Sequence, residues 1–256
     1  MGAPLLSLRG ITHGFRRSGG ALVTAVRDVS LEVGEGETVA LVGESGSGKS
    51  TLGRIALGLI RPDTGRVFIA GRTLGEMSSG ELRRARVALQ PIFQDATASL
   101  NPRRTVRDLL GQALRQRGAD SIAELRIDLL ESVGLRPGRV YLERYPHELS
   151  GGQRQRLAIA RALAMQPRLI VADEPLSGAD VSIRGQILNL LSDLKKERGL
   201  AYLMITHDIS IARAFADRVA VMSQGQIVEQ GPAAEVLTRP AQDYTKRLLA
   251  AVPELR

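Results

Sequence analysis

Three short apolar runs stand out along the chain: Thr38-Val39-Ala40-Leu41-Val42, Leu169-Ile170-Val171-Ala172 and Tyr202-Leu203-Met204-Ile205-Thr206. None of them alternates with polar residues, which is the pattern of strands buried on both faces of a parallel sheet. Leu5–Ile11, Ser30–Val33, Val67–Ala70 and Val87–Leu89 also read as strands, and Arg218–Met222 with Gln226–Glu229 reads as a hairpin joined through Gly225. Helical spacing runs from Lys49 to about Leu59, where Arg61-Pro62-Asp63-Thr64-Gly65 breaks it, and returns in Ile183, Ile187, Leu190, Leu191 and Leu194. Between about residues 96 and 165 the pattern is helical, punctuated by Asn101-Pro102, Arg136-Pro137-Gly138 and Tyr145-Pro146. The pattern predicts an α/β fold. One lobe spans about 1–95 and 166–240, a helical subdomain is inserted at about 96–165, and a short helical tail covers about 241–256.

Chemistry concentrates at the ends of the buried runs. Gly43, Glu44, Ser45, Gly46, Ser47, Gly48, Lys49 and Ser50 form a complete phosphate loop between a buried strand and a helix. In that motif the N–H groups of Gly46, Gly48 and Lys49 wrap a β-phosphate. Lys49 reaches the β- and γ-oxygens, and the Ser50 hydroxyl ligates Mg²⁺. Asp173 and Glu174 follow the strand Leu169–Ala172, at the edge where parallel sheets bind ligands. Adjacent carboxylates there can divide the labour: one holds the metal ion while the other orients an attacking water. His207 closes the next buried strand, from which an imidazole can reach a γ-phosphate. Gln94 ends the apolar segment Pro91-Ile92-Phe93 and offers a neutral amide to Mg²⁺ or water. His13 and His147 read as structural.

A second anion site lies about a hundred residues downstream of the first. Leu149-Ser150-Gly151-Gly152-Gln153-Arg154-Gln155-Arg156 reads as a Ser-Gly-Gly turn opening a helix. Its free N–H groups and about half a positive charge at the helix start favour an anion. Only one of the two sites owns a lysine. The arrangement makes sense if the second site closes on a nucleotide held by another subunit.

Composition narrows the setting. With 35 basic and 27 acidic residues the net charge is +8, almost all of the positive charge being arginine scattered singly along helices. Only 3% of residues are aromatic, few to stack on bases, so the charge does not point to single-stranded nucleic acid. The absence of cysteine excludes disulfides, thiolate metal sites and cysteine catalysis. No apolar run approaches the roughly 18–20 residues needed to span a bilayer. Met1-Gly2-Ala3-Pro4-Leu5 lacks the basic start and apolar core of a secretory signal, so the chain is expected to stay in the cytosol unless a membrane component recruits it.

The phosphate loop, Phe93-Gln94-Asp95, Leu149–Gln153, Ile170–Pro175 and Thr206-His207-Asp208 occur in the order that resembles ATP-binding-cassette transporter ATPases. Further segments are similar to the peptide/nickel importer branch: Phe93 to Arg103, Asp180-Val181-Ser182-Ile183, and the tail Pro240-Ala241-Gln242-Asp243-Tyr244-Thr245. The resemblance implies a P-loop NTPase (RecA-like) core with N-terminal antiparallel β elements and an inserted helical subdomain. It implies ATP and Mg²⁺ as ligands, with Lys49, Gln94, Glu174 and His207 in catalysis and Ser50, Gln94 and Asp173 on the metal. Glu174 is then the catalytic base and His207 a γ-phosphate contact that braces it. Phe15 stacks on adenine, the loop from Gly43 through Thr51 grips the phosphates, and Ser150, Gly151, Gly152 and Gln153 belong to the nucleotide of the opposing subunit. Asp180 communicates across that dimer. The family usually has leucine where Ala179 stands and more often tyrosine where Phe15 stands.

The implied partners are a second cassette ATPase, identical or homologous, two transmembrane permease subunits and, indirectly, an extracytoplasmic substrate-binding protein. The implied location is peripheral, at the cytoplasmic face of the membrane, with no nucleic acid bound. Cargo among dipeptides, oligopeptides and nickel or other metal chelates stays open. Other readings are a cassette ATPase serving a soluble assembly of the carbon–phosphorus lyase type, a nucleic-acid maintenance ATPase, and a small-molecule kinase. The maintenance ATPase needs long coiled coils or zinc modules, and the kinase has no use for Leu149–Gln153.

Overall fold

The computed structural model describes residues 3–16, 22–95, 99–177 and 180–251. Ala96, Thr97, Ala98 and Ala179, singled out above, lie outside the described residues. The strands are β1 (Leu6–Arg16), β2 (Leu22–Val33), β3 (Thr38–Val42), β4 (Thr64–Ile69), β5 (Arg72–Thr73), β6 (Leu89–Ile92), β7 (Leu169–Asp173), β8 (Ala201–Thr206), β9 (Arg218–Ser223) and β10 (Gln226–Pro232). They form an antiparallel sheet, β2-β1-β4-β5, and a second sheet, β10-β9-β3-β8-β7-β6. In the second, β9, β3, β8, β7 and β6 run parallel, and β10 is antiparallel to β9.

The three apolar runs become β3, β7 and β8, side by side at the centre. Their residues split by parity, as a pleated strand requires. Ile170, Ala172, Tyr202 and Met204 pack into one core with the helices Val106–Arg117, Ile122–Ser132 and Gly151–Leu163. Leu169, Val171, Leu203 and Ile205 face the other way, onto a core shared with the antiparallel sheet and Leu52 and Ile55 of the helix Lys49–Ala56. A third cluster around Val42, Val219 and Val221 is closed off by Leu248 and Leu249 of the helix Asp243–Ala250.

Several elements differ from the sequence reading. Val87 and Ala88 are not strand: they end a helix, Ser79–Ala88, and β6 begins at Leu89. That helix buries none of its residues, so it shows no apolar stripe, and it is held by a reciprocal cap instead. The Glu81 amide donates to Ser78 Oγ at 3.4 Å, and the Ser78 amide donates to Glu81 Oε2 at 2.9 Å. The first helix stops at Ala56, short of Leu59. β1 and β2 are far longer than Leu5–Ile11 and Ser30–Val33, because register shifts between Leu8 and Gly14 break the alternation that would have marked them.

Leu110 is fully buried among the helices. Leu110→Ala is expected to cost about 2–5 kcal/mol of unfolding free energy in urea titration. A loss below about 1 kcal/mol would mean that these helices do not share a close-packed core with the sheet.

Candidate active site

Four neighbouring parallel strands deliver the sequence-predicted groups to one edge. β3 leads into the phosphate loop, β8 into His207, β7 into Asp173 and Glu174, and β6 toward Gln94. Register keeps their ends level: Val42 lies opposite Thr206, Asp173 opposite Ile205, and Ile92 opposite Ala172.

The loop backbone explains its glycines. Gly48 has φ 106°, and a Cβ there would stand 2.2 Å from the Ala25 carbonyl oxygen of β2. Lys49 is only 4% exposed. Its Nζ donates to Gly43 O at 2.8 Å, Glu44 O at 2.6 Å and Ser47 Oγ at 3.3 Å. Burial lowers the pKa of this ammonium, while the nearby carboxylates of Glu174, Asp173 and Glu44 pull it back up.

The Ser50 hydroxyl donates to Asp173 Oδ1 at 2.9 Å. Burial raises the Asp173 carboxyl above its ordinary range, with the Ser50 hydrogen bond opposing that shift. Gln94 donates its Nε2 to Ser177 Oγ at 3.1 Å, and it lines the same cleft, of about 460 Å³, as Ser50, Arg54 and Asp173. A hydroxyl, a carboxylate and an amide oxygen are the hard donors that suit Mg²⁺. Among the described residues no group of three or more His, Cys, Asp or Glu could hold an ion alone. The set therefore fits an ion held by one carboxylate and completed by phosphate oxygens and water.

Glu174 takes φ 48°, a left-handed turn fixed by its N–H donating to Ile205 O at 2.8 Å. The turn leads its side chain away from the strand and sets Oε1 3.1 Å from His207 Nδ1. The carboxylate side chain is 18% exposed and the imidazole 59%.

Ser150, Gly151 and Gly152 open the helix Gly151–Leu163 in a cavity of about 370 Å³ that Gln94, Ser177 and Asp180 also line, with no residue of the phosphate loop among its walls. Ser150 Oγ accepts from the Gln153 amide, and Gln153 Oε1 accepts from the Ser150 amide at 2.9 Å. Gln153, expected to touch nucleotide, thus engages its carboxamide oxygen in the helix start. A Cβ on Gly152 would meet Ile183 at 3.3 Å, but one on Gly151 would meet nothing within 4 Å. Among the described residues nothing crowds Gly151 into being glycine.

Phe15 is 44% exposed and takes an edge contact with His13, their ring centroids 4.7 Å apart. It lies opposite Val23, two residues along β2 from the Ala25 that abuts Gly48. Asp180 begins the helix Val181–Arg198 with its side chain making no cap bond. Sequence reasoning missed Ser177, which holds Gln94. It also missed Gln155, 8% exposed, on the wall of the cavity at Ser150. Its position one turn after Gly151 was the available signal.

The ABC transporter family model matches residues 26–177. The chain belongs to the ABC transporter family. The glutathione import ATP-binding protein GsiA of Salmonella paratyphi A is 48% identical over an alignment of 261 positions that covers 98% of this chain and 42% of that protein. The Escherichia coli K12 protein of the same name gives 48% over 262 residues, with the same shares. The chain thus spans less than half the length of these curated relatives. Among solved structures, the dimeric ATP-binding cassette MJ0796 in a post-hydrolysis state, bound to ADP and Pi, has a TM-score of 0.79 and 32% identity, over 89% of this chain and 98% of that one. CbiO1 of Clostridium perfringens, part of the ABC transporter complex cbiONQ, gives 0.79 and 27%, over 92% and 91%. The α/β cassette fold and ATP with Mg²⁺ as ligands accord with this membership.

The raised Asp173 pKa carries a sign for this ABC cassette. Between the ordinary value of 3.8 and the raised folded value, the folded state holds a proton that the unfolded chain has lost. Stability therefore falls as pH rises through that window. Asp173→Asn has no such proton to lose. Its unfolding free energy relative to wild type should climb as pH rises through the window and then level off. A difference that stays flat across stepped-pH urea titrations would mean that Asp173 is not desolvated.

Proposed function

We propose that this chain is the ATP-binding and ATP-hydrolysing subunit of an ABC importer and works as one half of a head-to-tail pair. The carrying observation is the separation of the two anion-binding helix starts: Ser150–Gly152 open a cavity that no phosphate-loop residue lines, with Gly151 bare toward the outside. The similarity to a cassette described as dimeric and bound to ADP and Pi supports the same arrangement.

In this reading the N–H groups of Gly46, Gly48 and Lys49 wrap the β-phosphate, and the Lys49 ammonium spans the β- and γ-oxygens. Ser50, Asp173 and the Gln94 amide oxygen are the protein ligands of Mg²⁺, which supplies charge neutralisation on the phosphates when bound. Glu174 accepts the proton of the attacking water as the bond from the γ-phosphorus to the bridging oxygen breaks and ADP leaves with that oxygen. His207 holds the Glu174 carboxylate and contacts the γ-phosphate, while Phe15 offers its ring to adenine. The Ser150–Gly152 start faces the γ-phosphate of nucleotide on the second subunit, and Asp180 lies along that junction.

The helical segment, about 96–165, moves as a lobe, and Gln94 links its entry to the metal. Two permease subunits dock there at the cytoplasmic face, with an extracytoplasmic binding protein supplying cargo. Among the described residues no helix is long and apolar enough to cross a membrane, so the channel belongs to partners. The glutathione import relatives favour peptide cargo over metal chelates.

Glu174→Gln keeps shape and removes the base. ATP binding and an ATP-dependent dimer should persist while hydrolysis falls at least ~10²-fold, the lower end for a lost general base. Adding Ser150→Arg to that variant should abolish the dimer on gel filtration. Near-normal turnover in Glu174→Gln would sink the assignment of the base, and a dimer indifferent to Ser150 would sink the composite site. Purification from a detergent extract separates the settings: multi-span membrane proteins are expected alongside this chain, and soluble enzymes in their place would overturn the importer reading.

A further inference from the structure

The C-terminal helix reaches the phosphate loop across 200 residues of sequence. The Tyr244 hydroxyl accepts a hydrogen bond from the Glu44 amide, nitrogen to oxygen 3.3 Å. That N–H shares a peptide group with the Gly43 carbonyl, which accepts from Lys49 Nζ at 2.8 Å. A trans peptide is planar and carries its N–H and C=O on opposite sides. Holding the N–H on Tyr244 therefore aims the carbonyl at the ammonium. The pivot needs such a hold: Gly43 sits at φ 153° with no side chain to lock it, and a Cβ there would stand 2.1 Å from Met222 O.

The helix is seated independently of this bond. Glu229 on β10 accepts the amides of Ala241 and Gln242 at 2.8 and 3.1 Å just before the helix begins. Thr245 is fully buried, and Tyr244, Leu248 and Leu249 pack on the cluster that contains Ala40 and Val42 of β3. The tail thus rests on the strand that feeds the phosphate loop, and it reaches into that loop through the Tyr244 hydroxyl.

We infer that Tyr244 is a positioning residue for nucleotide binding: through the Gly43–Glu44 peptide it orients Lys49, and tail docking and nucleotide binding strengthen each other. The inference rests on the nucleotide-binding reading of Lys49. Coupling of this kind is reciprocal, so nucleotide must also tighten the tail.

Tyr244→Phe removes the hydroxyl and keeps the ring. With the full chain and a fluorescent ADP in Mg²⁺, Kd should rise roughly 2- to 10-fold, the worth of one net hydrogen bond. In ATP hydrolysis the loss should fall on KM and leave kcat in place. ADP should slow amide exchange across Asp243–Ala250 in the wild type and not in Tyr244→Phe, a readout that packing alone would not separate. A variant that binds ADP as tightly as a normally binding wild type, or shows the same ADP-dependent protection, overturns this inference alone. A wild type that binds no nucleotide overturns it together with the reading of Lys49.

Discussion

Burying an ammonium group commits everything around it. A cation taken out of water without partners costs several kcal/mol, and the usual escape is to lose the proton. Lys49 is met instead by the carbonyls of Gly43 and Glu44 and the Ser47 hydroxyl, with the carboxylates of Asp173 and Glu174 across the neighbouring strand ends. Those carbonyls point inward only because the loop bends through glycines. The carboxylates stand close because only β8 separates β7 from β3 in the sheet. One desolvated edge thus holds a cation whose pKa burial lowers and a carboxyl, Asp173, whose pKa burial raises. In each case neighbours oppose the shift without cancelling it: the carboxylates for Lys49, the Ser50 hydroxyl for Asp173. A ligand that brings both signs of charge, phosphate oxygens with a metal ion, would suit such an edge.

The helix start at Ser150 follows the opposite logic. It carries no lysine, and its Ser150 and Gln153 side-chain oxygens each accept from the other residue's backbone amide. What it offers is backbone N–H groups and open space over Gly151. Arg154, Asp95 and Asp180 also line its cavity, so the backbone N–H groups act there beside charges of both signs. In the head-to-tail pair proposed above, such a start would engage only a phosphate that the other subunit already holds.

Much of the fold was legible because the central strands are buried on both faces, and a short continuous apolar run bounded by turn residues fits little else in an α/β chain. The site was legible for a related reason: each functional group follows such a run at the same edge, so finding β3, β7 and β8 also located Lys49, Glu174 and His207. Legibility failed where burial gives no pattern. The helix Ser79–Ala88 buries nothing, and its signal was the cap Ser78–Glu81, which an apolar reading passes over. β1 lost its alternation to bulges. The signature also hid a local role of Gln153, which closes a capping box as the N3 residue of its helix. Ser177, a small polar residue in a turn, had no feature to distinguish it from a surface serine until the fold brought Gln94 to it.

Tyr244 shows the limit most clearly. The tail segment that holds Tyr244 stood out only by resemblance, and no periodicity links it to a loop 200 residues earlier. The link exists because the hairpin β9–β10 brings the chain back beside β3, and Glu229 then turns it into a helix over that same strand. The phosphate loop is consequently held from both directions of the sequence: from within by Lys49, and from the end of the described chain by a phenol on the reverse side of one peptide plane. A loop fixed on one side only could rotate that plane when its ligand leaves. Fixed on both, it keeps its carbonyl on the ammonium, and the cost of ordering the loop falls on folding and not on each round of binding.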